Sequence, residues 1–340
     1  MTTPAQPIFV IGAGAWGTAL AIMLAQAGNS VQLIARDQEK ADKLQFSREN
    51  SAALPNIRFP QSLNTHSLEQ DSMWRDSLAR TPHALVLLAA PAQATRQVAS
   101  LLAPSLTSNH TLVLTAKGLE RDTQQLLSDV VAQESPVAQV AVLSGPSFAH
   151  DVGQGLPTAI TLAASTIGAA EAMTERLKGD TFRPYASDDL IGVQLGGALK
   201  NVLAIAAGVV EGKGLGESAK AALITRGFAE ISRLSISQGA HAETLVGLSG
   251  LGDLILTCST AGSRNFRFGY ELGKGHSLAH LLSDGQPLAE GAKTAAAALA
   301  LGQANHIDMP ITQTVAAVVD GGMSVDEAIA SLMARPLKRE

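Results

Sequence analysis

One cysteine, Cys258, occurs in 340 residues. A single thiol closes no internal disulfide, so no disulfide framework is expected, and the chain fits a reducing, cytoplasmic setting. Aromatic residues are only 4% of the chain, so the core must be built from Ala, Val, Leu and Ile. Charge is sparse as well: 16% of residues are charged, the formal net charge is -5, and there is no long basic run. That argues against a nucleic-acid partner. The opening "MTTPAQPIFVIGAG" has neither a basic n-region nor a long apolar h-region, so no secretory signal is expected. The longest apolar run, Val193 to Val210, is broken by Gln194, Lys200, Asn201 and glycines. It reads as a buried helix, and no membrane insertion is expected.

What is present is enough apolar material, 46% of residues, for a globular chain of two domains. Short β-branched runs alternate with Ala/Leu-rich segments in the first half. Strands are predicted at Ile8–Ile11, Val31–Ala35, Ala84–Ala89, Thr111–Thr115, Val140–Leu143, Ala159–Ala163 and Phe182–Tyr185. Helices are predicted between them at Trp16–Ala27, Ala92–Leu102, Thr123–Val131 and Ile167–Leu177. Near-continuous apolar strands such as "ALVLLAA" suit a parallel sheet covered on both faces, and the alternation predicts a doubly wound α/β domain of Rossmann type. After about Ala186 the strand signal ends and helical patterns take over, as at Glu217–Gln238, Glu290–Ala304 and Val325–Met333. The expected division is a nucleotide-binding domain over residues 1–186 and an all-α domain over residues 187–340.

"IFVIGAGAWGTALAIMLAQAG" sets Gly12, Gly14 and Gly17 between a strand and a helix. Gly12 permits a tight turn, Gly14 lets backbone approach a pyrophosphate, and Gly17 permits close helix–strand packing. The helix N-terminus then offers N–H groups to the anion. A glycine-rich turn without ligand is the plainer reading, but the strand–turn–helix context favours a dinucleotide. The second strand ends "LIARDQ". Arg36 at its tip could hold a 2′-phosphate, which favours NADPH; the adjacent Asp37 leaves NADH open.

Four segments carry candidate chemistry. Lys117 in "TLVLTAKGLE" lies just past a strand's C-terminal end, where ligands sit in open α/β sheets, although a loop lysine alone is commonly a surface charge. Gly145, Pro146 and Ser147 in "VLSGPSFAHDV" follow the next strand. Lys200 stands within "GGALKNVLAIAAG". A helical lysine ordinarily snorkels to solvent or pairs with a buried carboxylate. Apolar flanks would instead desolvate it, lower its pKa and ease proton exchange near neutral pH. Asn201 is the polar neighbour expected for it. Gly196 and Gly197, one turn earlier, would admit a ligand or another backbone. Finally, "GLSGLGDLILTCSTAGSRNFRFG" holds Asp253, Ser263, Arg264, Asn265 and Arg267. Ser-Arg-Asn beside glycines suits a phosphate, or equally a helix capped at Ser263. No metal site is expected.

Taken together and in order, "GAGAWGTALA", "TAKGLE", "SGPSFA", "GVQLGGALKNVLAIAAG", "ALITRGFAEISRL", "GLGDLILTC", "SRNFRFG" and "MPIT" resemble the bacterial type of NAD(P)-dependent glycerol-3-phosphate dehydrogenase. The matching pieces run from residue 12 to about 312. The resemblance implies reduction of dihydroxyacetone phosphate to sn-glycerol 3-phosphate, a supply for glycerophospholipid synthesis. It implies that Gly12, Gly14, Ala15, Trp16 and Gly17 line the dinucleotide, with Arg36 at the adenosine end, and that Ala149, Arg264, Leu288 and Glu290 also meet the cofactor. Lys117 would touch cofactor and substrate. Gly145, Ser147, Asp253, Ser263, Arg264 and Asn265 would face the substrate, and Lys200 would donate and accept the proton. Ala292 and Ala53 stand where the family commonly has aromatics, which bears on loop packing more than on chemistry.

Two other readings remain. A β-hydroxyacid dehydrogenase would carry an Asn one helical turn after its lysine, where this chain has Ala204. A nucleotide sensor without turnover is compatible with a Rossmann domain alone. A homodimer through the Ala-rich helices also stays open.

Overall fold

A computed structural model describes residues 6–69, 72–283 and 289–336. Its contacts group the chain into two units, one running through Ala116 and resuming over Leu127–Val193, the other made of Lys117–Leu126 and the chain from Gln194 onward.

The first unit is built on strands β1 (Ile8–Ile11), β2 (Val31–Ala35), β3 (Glu49–Asn50), β4 (Leu54–Arg58), β5 (Leu63–Ser67), β6 (Leu85–Leu88), β7 (Thr111–Leu114), β8 (Gln139–Ser144), β9 (Thr158–Ala164) and β10 (Phe182–Ser187). Eight form one sheet in the order β10-β9-β8-β7-β6-β1-β2-β5, and β3 pairs with β4 apart from it. The order reverses at β1, the strand that leads into the glycine-rich turn. Side chains alternate across each strand. Ile8 and Val10 join Leu33, Leu85 and Leu87 in one apolar cluster, while Phe9 and Ile11 join Ile34, Val86 and Leu88 in another. Both faces of the sheet are therefore covered, which is why the central strands read as unbroken apolar runs.

The structure departs from the sequence prediction in several places. The sheet is parallel except at one joint, where β8 and β9 are antiparallel. Thirteen residues join them, about the shortest length that closes a parallel crossover, and they hold only the short helix Ala149–Gly153. β5 was not predicted, because "LNTHS" is an edge strand with polar residues in its middle. The helix expected at Thr123–Val131 begins instead at Leu127 and runs to Glu134. The preceding residues form a turn closed by a bridge between Leu119 and Leu126, with Gln124 at φ +60°.

The second unit is helical. Its longest helix is Leu190–Gly212, which starts in the first unit, is long and apolar enough to cross a membrane, and is almost wholly buried within the protein. It lies backbone to backbone against the helix Arg264–Gly273. A Cβ on Gly208 would meet the Phe266 carbonyl oxygen at 2.0 Å, and one on Gly269 would meet the Ile205 carbonyl oxygen at 2.0 Å. Only glycine on both helices permits that approach. The carboxylate of Glu230, in the helix Glu217–Ser237, caps the helix Pro310–Val319 by accepting from the amides of Ile311 (2.8 Å) and Thr312 (3.1 Å). Burial pushes the Glu230 carboxyl up, against the pull of those hydrogen bonds.

Candidate active site

In the first unit, the turn after β1 has the form a dinucleotide needs. Gly12 sits at φ +112°, and a Cβ on Gly17 would lie 1.9 Å from the Gly12 carbonyl oxygen, so the helix Ala15–Gln26 is clamped onto the turn. Gly14 is different: a Cβ there would meet nothing within 4 Å, and no side chain caps the helix it opens. The open face and the uncapped N-terminus leave room and donors for a phosphate. Trp16, in the first turn, has a buried indole N–H with no acceptor among the described residues. The residues present therefore fit a dinucleotide. At the end of β2, Arg36 is exposed, while the Asp37 carboxylate is occupied as the N-cap of the next helix, accepting from Lys40 N at 2.9 Å. Gly145, at φ +155°, packs against Ile160, and the Ser147 hydroxyl donates back to the Gly145 carbonyl at 3.0 Å. Ala149 opens the short helix that follows.

In the second unit, a π-helical turn, Leu248–Gly252, delivers Asp253 into the interior at the start of the helix Asp253–Cys258. Lys200 Nζ lies 2.6 Å from Asp253 Oδ1 and donates to Thr257 Oγ1; Lys117 Nζ lies 2.7 Å from Asp253 Oδ2. Lys200 is 5% exposed and Asp253 1%. Phe228, Ile231, Leu245 and Leu254 line the space beside Lys200. Burial dominates the resulting pKa: it lowers the Lys200 ammonium to about 8, with Lys117 pushing the same way and Asp253 pulling back. The neighbouring Cys258 thiol is pushed up to about 12 by the same burial, so it stays protonated. The two ammoniums and one carboxylate leave a single net positive charge in a dry setting.

Asn201 is not the neighbour of the Lys200 ammonium. Its side-chain N–H donates to the Lys117 carbonyl at 3.2 Å, and its oxygen accepts from Asn265 at 3.0 Å. Gly196 admits another backbone rather than a ligand, since a Cβ would meet Gly250 Cα and the Ser249 carbonyl at 3.0 Å. Ser263 is buried and caps the helix Arg264–Gly273, accepting from Phe266 N at 3.2 Å. Arg264, the first residue of that helix, is exposed. Arg267 folds back onto the Ala261 carbonyl and so braces the loop before Ser263. Glu290 opens the helix Glu290–Ala304, and Leu288 lies outside the described residues. Thr257 was missed in the sequence. Its spacing of four from Asp253 on a helix was the available signal, since it puts both on one face.

The chain matches two family models, the N-terminus of NAD-dependent glycerol-3-phosphate dehydrogenase over residues 7–170 and its C-terminus over residues 189–330. It belongs to that family. Among curated relatives, a glycerol-3-phosphate dehydrogenase (NAD(P)+) of Parvibaculum lavamentivorans is 48% identical over 340 residues, 100% of each chain. One from Rhodopseudomonas palustris is 46% identical over 338 residues, covering 99% of this chain and 100% of that one. Among solved structures, the glycerol-3-phosphate dehydrogenase of Coxiella burnetii superposes with a TM-score of 0.90 at 38% identity, covering 98% of this chain and 100% of that one. Membership displaces the β-hydroxyacid and sensor readings.

Proposed function

We propose that the protein catalyses reversible hydride transfer between a nicotinamide dinucleotide and dihydroxyacetone phosphate, giving sn-glycerol 3-phosphate for glycerophospholipid synthesis in the cytoplasm. The observation that carries the reading is the buried Lys200 ammonium, held with Lys117 on one carboxylate. The dinucleotide, when bound, supplies or accepts the hydride. As the carbonyl is reduced, negative charge gathers on its oxygen. Lys200 stabilises that charge and gives its proton to the oxygen; in the reverse direction the neutral amine takes the proton back. A pKa near 8 lets both forms be reached close to neutral pH.

Lys117 adds a second positive field and orients the substrate. Asp253 neutralises one of the two ammoniums, so the cluster stays cationic enough for an anionic substrate without repelling itself apart. Arg264, exposed at a helix N-terminus with Ser263 and Asn265 beside it in the chain, holds the phosphate. Binding energy spent there orients the reacting carbon. Gly145 and Ser147 face the substrate. Gly12, Gly14, Ala15, Trp16, Gly17, Ala149 and Glu290 meet the dinucleotide. Arg36 favours NADPH, a reading supported by its exposure and by the engagement of Asp37 as a cap.

The direct test is nicotinamide absorbance on adding dihydroxyacetone phosphate, with NADH and NADPH in parallel. Phosphate-dependent loss of absorbance is the expected result. No loss with either cofactor would remove the reading.

A further inference from the structure

Resting on that functional reading, we infer that Asn50, on the small β3–β4 pair, locks the Ala13–Gly14 peptide with its N–H turned toward the pyrophosphate of the dinucleotide. Asn50 is 2% exposed and lies apart from the main sheet. Its side-chain nitrogen carries two hydrogens and places both. One goes to the Ala13 carbonyl at 3.1 Å and the other to Thr18 Oγ1 at 2.8 Å. Among the described residues, Asn50 is the only hydrogen-bond donor to the Ala13 carbonyl. The carboxamide has one orientation here, because turning it over would set its oxygen against the Ala13 oxygen.

The turn needs this restraint at one peptide in particular. The Gly12 carbonyl is pinned under Gly17, and the Gly14 carbonyl accepts from Thr18 N at 2.9 Å. The Ala13–Gly14 peptide between them has no such backbone partner. Gly14 has no side chain and open space beside it, so packing does not stop that peptide from turning over. A trans peptide sets its C=O and N–H in opposite directions. Holding the Ala13 oxygen toward Asn50 therefore aims the Gly14 N–H away from it. A flipped peptide would offer an anion a carbonyl in place of a donor. Asn50 is itself held firmly. Its own carbonyl accepts from Ala53 N at 3.1 Å, and Phe59 N closes the far end of the pair on the Arg48 carbonyl at 2.8 Å. Leu54 and Ile57 pack flush on Gly153, where a Cβ would lie 2.9 Å from each side chain. Asn50 is a positioning residue, acting through the Gly14 amide.

The test titrates NADH and NADPH against the full chain and its variants. Asn50→Leu keeps the side-chain volume, adds no charge and removes both donors. It should raise Kd for NADH and NADPH alike by about tenfold or more, the worth of one charge-assisted hydrogen bond to the pyrophosphate that both share. Thr18→Val removes the other bond of Asn50 and spares the one to Ala13, so its Kd values should stay within about threefold of wild type. If Asn50→Leu does not fold, Asn50→Ser takes its place, since its hydroxyl sits where the asparagine Cγ was, short of the Ala13 carbonyl. Unchanged affinity in the Asn50 variant would overturn the inference. So would loss of one dinucleotide only, or an equal loss in Thr18→Val, which would mark general loosening. The Gly14 amide gives a signature that a structural role would not move. A peptide freed to flip should show microsecond-to-millisecond relaxation dispersion at that amide in the Asn50 variant and not in the wild type, and identical dispersion would overturn the lock. Binding needs no turnover. A wild type that binds dinucleotide but leaves dihydroxyacetone phosphate unreduced would remove the functional reading, and the Asn50 comparison would still decide this one.

Discussion

Lys117 and Lys200 grip opposite oxygens of one buried carboxylate, at 2.7 and 2.6 Å on Asp253. The three residues are far apart in the chain, and their meeting converts a lysine that could be merely a paired core charge into one under competing demands. Burial favours the neutral amine, Lys117 favours it further, and Asp253 favours the ammonium. The balance lies near 8, where an acid–base group serves both directions of a reaction at ordinary pH.

Removing the acid should stop the chemistry without unfolding the protein. Lys200→Ala is expected to fold and bind NADPH but to lose turnover by about 10²–10⁴-fold, the usual contribution of a general acid. Near-normal turnover would take Lys200 out of the mechanism. Stability carries an independent signature. The folded-state pKa, about 8, lies below the ordinary value of 10.5. Below about 8 the folded protein bears the full cost of burying the charge, on the order of 3 kcal/mol, and as pH rises through 10.5 that cost disappears. Denaturant unfolding of the wild type and Lys200→Met should therefore show the wild type gaining on the variant between pH 8 and 10.

Asp253→Asn tests the opposite pull. Asp253 raises the Lys200 pKa by charge and by hydrogen bond, so its loss leaves two ammoniums facing an amide. The Lys200 pKa should fall below 8, and the alkaline limb of dihydroxyacetone phosphate reduction should move to lower pH. A limb that stays in place would mean that Lys200 does not set it.

The parts of this arrangement that were legible in the sequence are those carried by local pattern. The glycine turn after β1 needs its residue types for backbone reasons, and Lys200 stood out because a charge interrupts an apolar run. The pairings were not legible. Nothing local indicates that the carboxylate 53 residues after Lys200 and 136 after Lys117 would receive both. Asn201 was expected beside the Lys200 ammonium because it is adjacent in sequence, yet adjacent helical side chains point about 100° apart, so Asn201 faces Asn265 and the Lys117 carbonyl instead. The antiparallel β9 was hidden for a similar reason: its composition suits either direction.

Arg264 is expected to act on binding more than on the chemical step. A charge-assisted bond to phosphate is worth about 1.5–3 kcal/mol, so Arg264→Ala should raise KM for dihydroxyacetone phosphate by about 10- to 150-fold. An unchanged KM would place the phosphate elsewhere, and the Ser263–Asn265 turn would then be only a capped helix start.

Arg36 is expected to decide between the cofactors. Its guanidinium is exposed and lies 3.5 Å from the carboxylate of Asp37, whose other oxygen already serves as an N-cap. A 2′-phosphate would meet Arg36, whereas a bare ribose would find no uncommitted carboxylate there. Arg36→Ala should therefore weaken NADPH binding by about tenfold or more, the worth of one charge-assisted contact, while leaving NADH within about twofold. Asp37 is the control. Asp37→Ala should cost roughly 1 kcal/mol of stability through the lost cap and should leave the ratio of NADPH to NADH affinity unchanged. Parallel titrations of both cofactors against the three proteins check the pair of expectations. Equal weakening of NADH and NADPH in Arg36→Ala would show that the arginine does not read the 2′ position.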